Sequence, residues 1–243
     1  MTRPLSVLEG FDAHAVWRGT DLAGSPEPTV STGRQELDGV LPGGGWPVGA
    51  MVELLNDRPA MHAWQLLLPG LCAVTRAQPG PVVLVGAPFE PFCPALMAQG
   101  LAADRLLRIE AEKHAARLWA SEQALRCADV PAVLAWLPRT RSSDLRRMQL
   151  AAHQHQKLLF VFRPLAAMNE SSPARLRLVV EGTDRLQLRV IKRRGAPLAR
   201  TLELPARPLR LEALLASRKG RAIPTVPTPR DRSHVLDRAA ALA

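Results

Sequence analysis

Along most of the chain, short runs that are apolar on both faces alternate with longer stretches whose apolar residues recur at 3–4 spacing. The runs at residues 50–55 (AMVELL), 81–87 (PVVLVGA), 130–137 (VPAVLAWL) and 157–164 (KLLFVFRP) predict buried strands, and RLLRIEA at 105–111 a short strand. Between them, residues 60–77, 95–101, 112–127 and 142–156 predict helices. In the first of these, Trp64, Leu67, Leu68 and Leu71 form the apolar face, and Pro69 is expected to kink or interrupt it. Ala115, Leu118, Trp119 and Leu125 carry the apolar face of the third, and Ser142 or Ser143 is the expected N-cap of the fourth. Such strand–helix alternation predicts an α/β fold, a mostly parallel sheet flanked by helices and joined by right-handed crossovers.

From residue 174 the period falls to two. In RLRLVV-EGTD-RLQLRVIKRR, Leu176, Leu178 and Val180 face one way, as do Leu186, Leu188 and Val190, with a turn at residues 181–184. This predicts a C-terminal antiparallel hairpin, which ARTLELP extends to a meander. Its other face presents Arg175, Arg177, Arg185, Arg189, Lys192, Arg193 and Arg194, either a solvated face or a basic docking surface.

The ends read differently. Residues 1–28 form an N-terminal arm, in which a short helix within residues 1–20 stops at Gly24, Pro26 and Pro28. Residues 29–205 make the α/β domain, and residues 206–243 a basic, Pro-rich, flexible tail. From Pro205 onward there are eight basic residues against three acidic ones, half of the chain's net charge of +10. The tail is either an inert end or a partner-binding segment. In the second case a short amphipathic helix with Leu211, Leu214 and Leu215 is the apolar anchor, and Arg218, Lys219, Arg221, Arg230 and Arg232 meet an acidic groove.

Composition narrows the class. With 243 residues, 47% hydrophobic and 22% charged, the chain is globular and long enough for a core. No apolar run approaches the roughly 18 residues of a membrane span, and the N-terminus lacks a signal-peptide core, which leads to the expectation of a soluble cytoplasmic protein. Cys72, Cys93 and Cys127 are odd in number and form no CxxC pair, so they are expected to be buried structural thiols rather than a disulfide framework or zinc site. His153 and His155, two apart on a helix, point to different faces and cannot chelate together. Neither Cys127 with Asp129 nor Cys93 with His114 has a signal placing a base beside the thiol. The excess of arginine reflects either GC-rich coding or an anionic partner.

One segment carries a motif. Thr32, Gly33, Leu37, Asp38, Leu41, Gly43, Gly44, Gly45, Pro47 and Gly49 match the T-G, L-D, L-G-G-G-L-P-x-G stretch that precedes the first core strand of RecA-like ATPases, with Trp46 at the usual leucine. The residues after that strand do not match. A phosphate loop needs G-x-x-x-x-G-K-[ST], whose backbone N–H groups and lysine hold the phosphates and whose hydroxyl holds magnesium. This chain has NDRPAMHAW, where Pro59 lacks an N–H, Asp57 repels an anion, and only Arg58 and His62 are able to attract one. The strand at 130–137 ends in Trp136 and Leu137 where a magnesium-orienting aspartate is needed. Glu90 lies near the place of the water-activating glutamate, and Pro164 near that of a polar switch residue. ATP hydrolysis, and with it any nucleotide cofactor, is therefore not expected.

A RecA-like domain with a degenerate nucleotide site and a basic Pro-rich tail resembles the ImuA family, related to RecA and to the septation inhibitor SulA; the resemblance covers residues 30–205. It implies a non-catalytic accessory role in SOS-induced translesion DNA synthesis, with localisation to the nucleoid on DNA damage. The implied partners are an ImuB-like inactive Y-family polymerase, an error-prone replicative-type DNA polymerase and RecA. The segment at residues 163–174 is short and holds no aromatic residue for base stacking, so DNA binding is expected to be weak or indirect. Two other readings are a diverged DNA-dependent ATPase and a SulA-like cell-division inhibitor.

Overall fold

A computed structural model describes residues 28–58, 63–183, 185–206 and 217. The chain divides into a unit ending at Arg207 and a second from Pro208 to Ala243, of which Ser217 alone is described. The arm at residues 1–27 and the partner-binding positions Leu211, Leu214, Leu215, Arg218, Lys219, Arg221, Arg230 and Arg232 lie outside the described residues, as does His62.

The first unit opens with β1 (Thr29–Val30), α1 (Gln35–Asp38) and β2 (Trp46–Pro47), then β3 (Met51–Asn56) and α2 (Ala63–Ala77). Next come β4 (Val82–Val85), α3 (Cys93–Met97), β5 (Leu106–Ile109), α4 (His114–Arg126) and β6 (Ala132–Trp136). It closes with α5 (Ser142–His155), β7 (Leu158–Pro164), β8 (Leu176–Glu181), β9 (Arg185–Lys192) and β10 (Leu202–Pro205). An eight-stranded sheet runs β10-β9-β8-β3-β7-β6-β4-β5, parallel from β8 to β5, with β9 and β10 added antiparallel. The fold is the expected α/β arrangement with a C-terminal meander.

Both faces of the central strands are buried because helices cover both. Leu66, Leu67, Leu71 and Val74 of α2 pack on Val52, Leu54, Leu84, Leu134 and Phe160, the same side on which Leu178, Val180, Leu186, Leu188 and Val190 of the meander are buried. Leu118 and Leu125 of α4 and Leu145 and Met148 of α5 cover Met51, Val83, Val133 and Val161 on the other side. The Gly-rich motif is a structural frame here. Asp38 accepts from the Thr32 backbone N–H at 2.8 Å and the Ser31 hydroxyl at 2.6 Å, and Trp46 is fully buried edge-on to Phe160, centroids 5.4 Å apart. Helix α2 comes so close to that indole that a Cβ on Gly70 would lie 2.9 Å from Trp46 Cδ1.

Five expectations need correction. Pro69 does not interrupt α2, which runs unbroken from Ala63 to Ala77. Neither serine caps α5: Arg141 is the N-cap residue, without a side-chain cap bond, and Ser142 is the first helical residue. Trp119 and Ala115 face solvent, because the buried side of α4 is made of Leu118, Ala120, Ser121, Ala124 and Leu125. Arg177 does not belong to the open face of the meander but is buried, and of the three thiols only Cys72 is buried, Cys93 being half-buried and Cys127 exposed.

Candidate functional site

Parallel strands collect ligand sites outside their carboxyl ends, where the strand order reverses. Here β3 is followed by β4, with two strands between them in the sheet, and the chain returns through β6 and β7 to fill the gap, so the carboxyl ends of all four meet at one crevice. Asn56 at the end of β3 and Asp57 after it line the crevice, with Gly86, Ala87 and Pro88 after β4, Trp136 at the end of β6 and Pro138 beyond it, and Phe162, Arg163 and Pro164 from β7. Arg117 of α4 completes a cavity of about 360 Å³.

Two aromatic rings stand in its wall. The Trp136 indole lies flat on Phe162, with centroids 4.4 Å apart and planes 8° apart. The indole is buried, and its Nε1 has no hydrogen-bond partner among the described residues. Arg117 crosses the end of β4 and donates from Nε to the Ala111 carbonyl at 2.6 Å. Gly86 makes room for it: at φ +65° a side chain is strained, and a Cβ there would lie 2.8 Å from Arg117 Nε.

Behind the crevice is a buried charge cluster. Glu53 of β3, fully buried, accepts from Arg163 Nη1 at 2.8 Å and from Arg177 Nε at 2.5 Å. Arg163 also donates to Glu170 at 2.6 Å, and Arg177 to the carbonyls of Ala167 and Met168. Burial alone would lower the Arg163 pKa, but hydrogen bonds to Glu53 and Glu170 hold it above the ordinary arginine value. This cluster satisfies its own charges and so braces the strands rather than presenting a reactive group.

The fold thus brings Asp57, Trp136 and Pro164 into one crevice. Arg58 is exposed and lines a neighbouring cavity of about 220 Å³ with Glu181 and Thr183. Leu137 is buried, and Glu90 is exposed in the loop after β4, not among the residues lining the crevice. His153 is exposed and His155 half-buried, and no group of three metal-ligating side chains occurs among the described residues. Sequence reading missed Arg117 and the Glu53 cluster. The signal for the cluster was a lone Glu53 within MVELL, where both neighbours are apolar.

No protein-family model matches the chain. Protein ImuA of Caulobacter vibrioides, in strains NA1000 / CB15N and CB 15, is 33% identical over 138 residues, 54% of this chain and 55% of the relative. Cell division inhibitor SulA of Photorhabdus laumondii is 32% identical over 82 residues, 34% of this chain and 46% of the relative. The chain spans about half the length of the curated relatives it matches. No helix among the described residues is long and apolar enough to cross a membrane. Over that matched half, the chain is similar to the proteins named ImuA.

Proposed function

We propose that the chain is a non-catalytic accessory protein of SOS-induced translesion DNA synthesis that works through protein contacts. The observation that carries this reading is the Trp136–Phe162 stack, which puts two apolar rings at the strand ends where metal-dependent phosphoryl transfer needs a carboxylate. The similarity to proteins named ImuA supplies the DNA-damage setting. The partners are an ImuB-like inactive Y-family polymerase, an error-prone replicative-type polymerase and RecA. The basic tail, through Leu211, Leu214, Leu215, Arg218, Lys219, Arg221, Arg230 and Arg232, offers them an apolar and cationic anchor.

A diverged DNA-dependent ATPase is the second reading, favoured by a crevice of about 360 Å³ at the strand-order reversal with Arg117 at its wall. Calorimetric titration with ATP and magnesium separates the two. It runs beside capture of the two polymerases by the full chain and by a form ending at Pro205. No heat of nucleotide binding together with tail-dependent capture is the expected outcome. Micromolar ATP binding puts the enzyme reading first, and capture indifferent to the tail removes the tail from the proposal.

A further inference from the structure

Helices α4 and α5 lie side by side on one face of the sheet, and both run from the carboxyl ends of parallel strands back to the amino ends, so they are parallel to each other. Glu122 of α4 joins them. Its carboxylate takes Arg126 of its own helix and Arg147 of α5, each at 2.6 Å. Trp119 stands one turn before Glu122, and Leu150 one turn after Arg147. Both are out in water, Trp119 65% exposed and Leu150 60% exposed.

The helical phases place these side chains on the solvent side of the seam between the helices, because Glu122 and Arg147 already point at each other and residues three apart share a helix face. Trp119 and Leu150 are then apolar posts at the two ends of a groove, about two turns or ~10 Å apart along the axes. That is the i to i+7 spacing of anchors on one face of a docked helix. Around the posts cationic groups outnumber acidic ones: Arg126 and Arg147 share the Glu122 carboxylate, Asp144 lies near enough to Arg147 to act on it, and exposed Arg146, four residues before Leu150 and on its helix face, forms no ion pair among the described residues. An isolated exposed tryptophan is ordinary, but tryptophan and arginine clustered around a second large apolar group have the composition of a binding hot spot. A nucleic-acid strand fits less well, since the groove has one planar ring and an aliphatic post where successive bases need stacking partners.

We propose that the α4–α5 groove docks an acidic amphipathic helix of a partner protein, with its apolar side chains on Trp119 and Leu150 and its carboxylates on Arg126 and Arg147. The proposal deepens the accessory reading and rests on it only in taking the occupant to be a protein. Its test needs neither the tail nor ATP, so the two readings fail separately.

Fluorescence anisotropy on the full chain would compare three labelled peptides of about five helical turns. They share leucines at i, i+4 and i+7 and carry Glu, Gln or Lys at the polar positions. The Glu peptide is expected to bind tightest, to weaken as salt rises, and to lose about tenfold or more in affinity with Trp119→Ala or Leu150→Ser. Arg147→Glu should shift preference toward the Lys peptide. The exposed Phe92→Ala variant should bind the Glu peptide as the parent does, and circular dichroism checks that each variant is folded. A Glu peptide that binds no better than the Lys peptide, or equally well without Trp119, overturns the proposal. So does an oligothymidylate that displaces the peptide and itself requires Trp119.

Discussion

Arg34 donates from Nη2 to the carbonyl oxygen of Gln65 at 2.8 Å, and Gln65 is the residue whose acceptor Pro69, four positions later, has no N–H to serve. A side chain just before α1 thus takes over a backbone bond of α2, which is how that helix passes through its proline. Arg34→Ala should lower stability by about 0.5 kcal/mol, since the bond is exposed and water can replace the lost donor. Pro69→Ala restores the N–H and keeps the Cβ, so in its background the Arg34→Ala cost should shrink. Urea unfolding of the four-membered cycle measures this coupling.

Glu53→Ala should be far more damaging. It leaves Arg163 and Arg177 facing each other in the interior with their shared carboxylate gone, a loss of about 3–5 kcal/mol. Chemical denaturation reads it, and a cost below about 1 kcal/mol would mean that water reaches the cluster.

Glu122 offers a pH test. The hydrogen bond from Arg147 outweighs the upward push of burial, and with the nearby charges of Arg147 and Arg126 it holds the Glu122 carboxyl below the ordinary glutamate value. A depressed carboxyl pKa stabilises the fold above the unfolded-state pKa, and that contribution disappears as pH falls through the folded-state value. Glu122→Gln should therefore cost little at low pH and more at neutral pH. Because both arginines are largely exposed, added salt should narrow the difference.

The aromatic pair at the crevice should be coupled. Trp136→Ala is expected to cost about 3–5 kcal/mol, and a double-mutant cycle with Phe162→Leu to return about 0.5–1.5 kcal/mol of interaction. Additive costs would mean that the stack contributes only its burial.

The thiols should react in order of exposure. Iodoacetamide should label Cys127 first, Cys93 next and Cys72 last. Burial pushes the Cys72 pKa up, opposed by the charge of Arg76 and by its hydrogen bond, so the neutral thiol is favoured in the folded chain. The associated stability is present below the unfolded-state pKa and is lost as pH rises through the folded value. Mass spectrometry of timed samples at rising pH would check both the order and the late appearance of Cys72.

Strands were legible in the sequence where burial on both faces leaves an uninterrupted apolar run, as at Val82–Val85 and Ala132–Trp136. The two-residue period of the meander was equally plain, since Leu186, Leu188 and Val190 have only one side to hide on. What failed depended on distant partners. Arg177 reads as an outward strand residue until β8 pairs with β3, which sets it beside Glu53 and beneath the turn at Leu165–Asn169. Trp119 reads as core because it is large and apolar, but α4 buries mainly small residues, and the indole projects from the opposite side. In the crevice, the residue types at 57, 136 and 164 could be read directly, whereas Arg117 comes from a helix whose pattern says nothing about where one guanidinium will lie.

Packing at the crevice also sets a direction for sequence change. Putting a carboxylate at position 136 would bury a charge against Phe162 and break the stack, so the first step costs stability before any chemistry can repay it. Replacing Phe162 first costs stability as well. Interlocked rings at this position act as a ratchet: neutral drift can alter the rim, but every single-residue route toward a polar pocket descends before it climbs.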